Sequence, residues 1–108
     1  MADPKPIRSL RLFARFFGGA GGWDFEVEVR WLDDPDDGAG DGTVTEVYGP
    51  FTVHFREGES VRDFIFPLRN VPLCGTGRYE FRLMALDASR FGDDWEPLAV
   101  EYFEVTRT

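Results

Sequence analysis

Between Trp23 and Leu32 the chain reads WDFEVEVRWL. Trp23, Phe25, Val27, Val29 and Trp31 alternate with Asp24, Glu26, Glu28 and Arg30. A period of two puts one set of side chains on each side of an extended chain. It describes a strand with one face on a core and one in water, and it excludes an amphipathic helix. No segment of the chain holds a helical period for long, and the same alternation recurs along its length. Residues 7–17 place Leu10, Leu12, Ala14 and Phe16 opposite Arg11 and Arg15. Further strands are expected over 43–48, 51–57, 61–68, 78–87 and 98–106. In the last of these the alternation slips, as it does at a bulge.

The connections carry turn chemistry. GGAGG fills 18–22, DDPDDGAGDG fills 33–42, and Gly49-Pro50 interrupts an otherwise extended stretch. Seven strands separated by such signals describe an all-β sandwich or barrel. The expected core is Phe25, Val27, Val29, Trp31, Phe51, Val53, Phe55, Tyr79, Phe81 and Leu83. Residues 1–6, which contain Pro4 and Pro6, are expected to be a flexible leader, and 7–108 a single domain. A chain of 108 residues buries about two-thirds of its unfolded surface, enough for one core without metal or disulfide.

The segment Gly75-Thr76-Gly77-Arg78-Tyr79-Glu80-Phe81 resembles the G-x-Y-x-C signature that opens strand F of immunoglobulin-like domains. Tyr79 stands at the tyrosine-corner position. The resemblance implies that its hydroxyl bonds a backbone group just upstream. Phe81 stands where antibodies have a half-cystine, so the intersheet disulfide is absent. The chain is similar to small bacterial immunoglobulin-like proteins of uncharacterised function. The resemblance implies an immunoglobulin-like antiparallel sandwich of about seven strands and no particular activity.

Composition narrows the function classes. The net charge of −8 argues against a nucleic-acid binder. No apolar run approaches the roughly 20 residues of a membrane helix. Cys74 is the only cysteine and His54 the only histidine. These numbers exclude an internal disulfide, a multi-cysteine zinc site and a histidine cluster. Cys74 reads as a half-buried, inert thiol and His54 as a surface residue. None of the three serines lies in G-x-S-x-G, and GGAGG matches neither a dinucleotide fingerprint nor a phosphate loop. The expectation is a cytoplasmic, non-enzymatic chain without a cofactor.

The unusual feature is the acidic stretch 33–42, with Asp33, Asp34, Asp36, Asp37 and Asp41. An EF-hand frame starting at Asp33 fails, because Pro35 falls at its third position and Val44 at its twelfth. A solvated hairpin loop, a contact for a basic partner and a looser calcium loop all remain open. Seven up-and-down strands would bring loops 33–42, 58–60 and 88–97 to one end of the sandwich. Asp33, Asp34, Asp36, Asp37 and Asp41 would then join Glu57, Glu59, Asp87, Asp93, Asp94 and Glu96, flanked by Phe91 and Trp95. Such a pole would suit a basic protein partner or, alternatively, calcium or another ligand. A second candidate surface is an exposed sheet face, with Phe13 and Phe17 on the first strand and Met84 and Leu86 on another.

Overall fold

The computed structural model describes residues 5–17, 21–38, 40–58, 60–87 and 95–106, with the side chain of Asp87 left out. Among these residues the chain forms six strands and no helix: β1 (Ile7–Phe17), β2 (Gly21–Trp31), β3 (Thr43–Phe55), β4 (Val61–Val71), β5 (Gly77–Asp87) and β6 (Glu96–Val105). They form two antiparallel sheets, one of four strands in the order β3-β2-β5-β6 and one of two strands, β1-β4.

The count is six rather than seven because Gly49-Pro50 does not end a strand. Residues 43–48 and 51–55 belong to one long β3, which bulges where Phe25 pairs with Phe51 and Val27 with Tyr48. Gly49 makes this possible. Its φ is 117°, and a Cβ there would lie 2.7 Å from the Phe25 carbonyl oxygen. Only glycine fits that backbone cheaply. Pro50 is tolerated because β3 is an edge strand, where a missing N–H breaks no ladder on its outer side.

The two sheets pack face to face through aromatic side chains. Phe16 of β1 meets Phe25 of β2 at 5.0 Å between ring centroids, and Phe66 of β4 meets Phe51 of β3 at 5.3 Å. These contacts lie in the 4.5–7 Å range where ring quadrupoles favour tilted and edge-on packing. Phe25, Val27, Val29, Val53, Phe55, Tyr79, Phe81 and Leu83 are buried as the alternation requires. Trp31 and Phe51 are only partly buried, packed against the margin of the core. β4 contributes Phe66, Leu68 and Val71. The expected bulge in β6 falls at Leu98, because Leu83 pairs with Ala99 while Met84 pairs with Pro97.

Two strands cannot cover four. The Cα radius of gyration is 15.7 Å, against about 13 Å for a compact domain of this length. The molecule measures 53 × 27 × 18 Å.

Candidate functional site

The acidic loop follows β2. Strand pairing sets Trp31 opposite Thr43 on one side and Tyr79 on the other, so residues 32–42 lie at the end of the molecule where β3 and β5 begin. At the far end of β2, Gly21 pairs with Phe55 and Trp23 with Asp87. β3 and β5 therefore end, and β4 and β6 begin, at the opposite end. Ten residues of strand separate the two ends, roughly 33 Å at about 3.3 Å per residue. The single acidic pole expected from seven strands is thereby corrected. Removing one strand from the count inverts the end to which each later loop belongs. Asp33, Asp34, Asp36, Asp37 and Asp41 sit at one end, and Glu57 and the half-buried Trp95 belong to the other. Glu59, Phe91, Asp93 and Asp94 lie outside the described residues. At this separation the two groups of charges are screened from each other, since the Debye length is about 8 Å in physiological salt.

Within the loop, the carboxylates are engaged locally. Arg78, at the start of β5, donates to Asp33 through its guanidinium at 2.9 Å and through its backbone nitrogen at 2.7 Å. These bonds hold the Asp33 carboxyl below its ordinary pKa. Asp34 accepts the Asp36 amide at 2.9 Å and the Thr43 hydroxyl at 2.5 Å, which lowers its pKa as well. The Asp37 carboxylate accepts the Gly42 amide at 2.6 Å, and the Asp37 amide donates to the Asp34 carbonyl at 3.2 Å. Aspartates bonding backbone groups a few residues on are turn-formers. Asp36 and Asp41 are exposed at the rim. Among the described residues no group of three or more His, Cys, Asp or Glu is arranged to hold a metal ion.

Beside the loop, Tyr79 is fully buried, and its hydroxyl donates to the Gly75 carbonyl at 2.6 Å and accepts the Gly75 amide at 3.0 Å. The upstream backbone bond expected of Tyr79 is present. Burial raises its pKa. Its ring is stacked between Trp31 at 6.2 Å and Phe103 at 5.0 Å. Cys74, expected to be half-buried, is exposed. It precedes Gly75, whose backbone the Tyr79 hydroxyl ties down and whose lack of a side chain leaves room for the Trp31 ring. His54 is exposed on β3, as expected.

The surfaces of the sheets offer more. On the outer face of β1-β4, Phe13 pairs with Ile65 and Phe17 with Val61, with the Arg15–Asp63 ion pair between them at 2.8 Å. All four apolar residues are exposed, Phe17 at 78%. Met84 and Leu86, also candidates for an exposed face, are half-buried. They lie beside charged side chains that run flat across the outer face of the larger sheet, where Arg30 meets Glu28 at 3.2 Å and Arg82 meets the buried Glu80 at 2.8 Å.

A groove of about 320 Å³ opens between β1 and the β5-β6 side of the larger sheet. Leu12, Ala14 and Phe16 line one wall, and Phe81, Leu83, Ala99 and Glu101 the other. Among the described residues β1 pairs only with β4 and β6 only with β5, so each offers a free edge there. The sequence carried a signal for this groove. Residues 96–105 carry Ala99, Phe103 and Val105 as apolar partners for the inner face, but Glu101 stands among them where the face would need an apolar residue.

No helix of the described residues is long and apolar enough to cross a membrane. No protein-family model matches the chain, and no curated protein or solved structure matches it.

Proposed function

We propose that this chain is an immunoglobulin-like sandwich acting as a non-enzymatic protein-interaction module. The observation that carries the reading is exposed apolar surface in two places, Ala99 at the β6 edge where the larger sheet is incompletely covered, and Phe13, Phe17, Val61 and Ile65 on the outer face of β1-β4. Exposed apolar patches on a folded chain mark contact surfaces. The fold assignment rests on strand order. An immunoglobulin sandwich of ABED and C′CFG sheets, reduced to strands B and E on one side, has the order seen here, with β1 as B, β4 as E and β3-β2-β5-β6 as C′-C-F-G. The bond from Tyr79 to Gly75 at the start of β5 supports the same mapping. A cytoplasmic location belongs to this reading, in keeping with a single cysteine. The calcium alternative finds less support, because Asp33, Asp34 and Asp37 already accept hydrogen bonds from within the chain.

The test is affinity capture from the source organism with the wild-type chain and two surface variants, Phe13→Asp on the outer face of β1-β4 and Ala99→Arg at the edge of β6. The reading expects a protein retained by the wild type and lost with at least one variant. Identical capture by all three, or none by any, counts against it.

A further inference from the structure

The slot beside β1 lies along a strand edge that has no neighbour among the described residues. In the ABED arrangement strand A lies next to B, and here that place is empty among the described residues. Its floor is the inner surface of β5 and β6, with Phe81 and Leu83 buried at the base and Ala99 and Glu101 exposed. Register sets Glu101 opposite Phe81 and Ala99 opposite Leu83, so these side chains share one face and look into the slot. The slot thus combines a free backbone edge on β1, an apolar floor and two charged residues, Arg15, whose guanidinium is taken up by Asp63, and Glu101.

Charge decides among occupants. Glu101 is exposed and has no hydrogen-bond or ion-pair partner among the described residues. Covering it with an apolar or acidic strand would strand a charge in a low dielectric, which is costly. A second copy of this chain is a poor fit. Its β6 would bring Glu96, Glu101 and Glu104 with no cation. Its β1 would bring no cation on the inward side, where Leu10, Leu12, Ala14 and Phe16 point. An extended segment carrying Lys or Arg answers Glu101 directly, and a chain of net charge −8 attracts it over distance.

We infer that the slot between β1 and β6 docks an extended segment of a basic partner protein, which adds a third strand to the β1-β4 sheet. Backbone hydrogen bonds to the free edge of β1 hold the segment. Alternate apolar side chains pack against Ala99 and the rim of the slot, and a Lys or Arg on the same side pairs with Glu101. This is strand addition to a sheet edge, in which the ladder supplies affinity and alternate pockets supply specificity. The inference rests on the interaction-module reading and names the surface and the chemistry of the partner.

The test is selection from a phage library of random nine-residue peptides on the wild type and on Glu101→Lys and Ala99→Arg. Both substitutions lie on an exposed edge strand, and thermal melting checks that each variant folds. The wild type should enrich peptides with apolar residues at every second position and a Lys or Arg in phase with them. Glu101→Lys should replace that cation by Asp or Glu, and Ala99→Arg should weaken binding of the selected peptides at least tenfold. Val44→Arg, on the far edge, should leave it unchanged. Failure to enrich any such pattern, or binding indifferent to both β6 variants, overturns the inference. So does a dimer in sedimentation that Ala99→Arg dissociates, because a second copy then fills the slot. If capture from the organism depends on Phe13 but not on Glu101 or Ala99, the strand-docking inference fails while the interaction-module reading stands.

Discussion

Replacing Tyr79 by Phe removes one oxygen atom and keeps the ring. The ring stays stacked between Trp31 and Phe103, so little cavity is opened. What is lost is the bond to the Gly75 carbonyl at 2.6 Å and the bond from the Gly75 amide at 3.0 Å. Both backbone groups sit where water reaches poorly, beneath the Trp31 indole, which would lie 2.7 Å from a Cβ on Gly75. Leaving a buried donor or acceptor unsatisfied costs about 1–3 kcal/mol. For a domain of this length, that corresponds to a fall in Tm on the order of 5–15 °C. Urea unfolding followed by tryptophan fluorescence measures it, since Trp31 reports on the same contact. The midpoint should drop with the slope unchanged, the mark of lost stability rather than an altered unfolded state. A loss under about 0.5 kcal/mol would refute the reasoning, for it would mean that water replaces the hydroxyl without cost.

Phe66→Ala and Phe81→Ala should each cost about 3–5 kcal/mol, with Phe66 the more costly because it is enclosed by Phe25, Phe51 and Phe64 while Phe81 borders the open groove. Denaturant midpoints give the order. Gly49→Ala should destabilise by about 1–3 kcal/mol through its positive φ and its close approach to Phe25, and thermal unfolding would show it. Asp33, Asp34 and Asp63 have pKa values held below their ordinary 3.8. Their contribution is therefore present above that pH and lost as the pH falls through the lower folded-state values. Asp33→Asn should flatten the acid limb of the stability profile while leaving alkaline behaviour unchanged. Millimolar calcium should not shift the Tm, because Asp33, Asp34 and Asp37 already accept hydrogen bonds from within the chain; a rise abolished by Asp36→Asn/Asp37→Asn would contradict this.

The strands and most of the core were legible because a period of two is set by the backbone itself. Phe25, Val27 and Val29 had to share a face once β2 was extended. The position of the acidic loop was not legible, and the cause is one dipeptide. Gly49-Pro50 has the composition of a turn, but in an edge strand a positive φ and a missing N–H make a bulge instead. That single choice inverted the assignment of loops to ends. It separated Asp33 from Trp95 and joined Asp33 to Arg78. The strand over 61–68 was legible, but Phe66, Leu68 and Val71 were absent from the expected core, and Pro67 points outward opposite Arg11. The slot beside β1 depends on which strands are neighbours, a long-range property that local alternation does not encode.

Amide hydrogen exchange in the free protein tests the open edges most directly. Strands β2 and β5 have neighbours on both sides, whereas β1 and β6 have one each among the described residues. In β1 and β6 every second amide should therefore exchange rapidly, those pointing away from β4 and β5, while the amides of β2 and β5 exchange slowly throughout. Uniform protection along β1 and β6 in the monomer would contradict the account, because the slot would then already be filled.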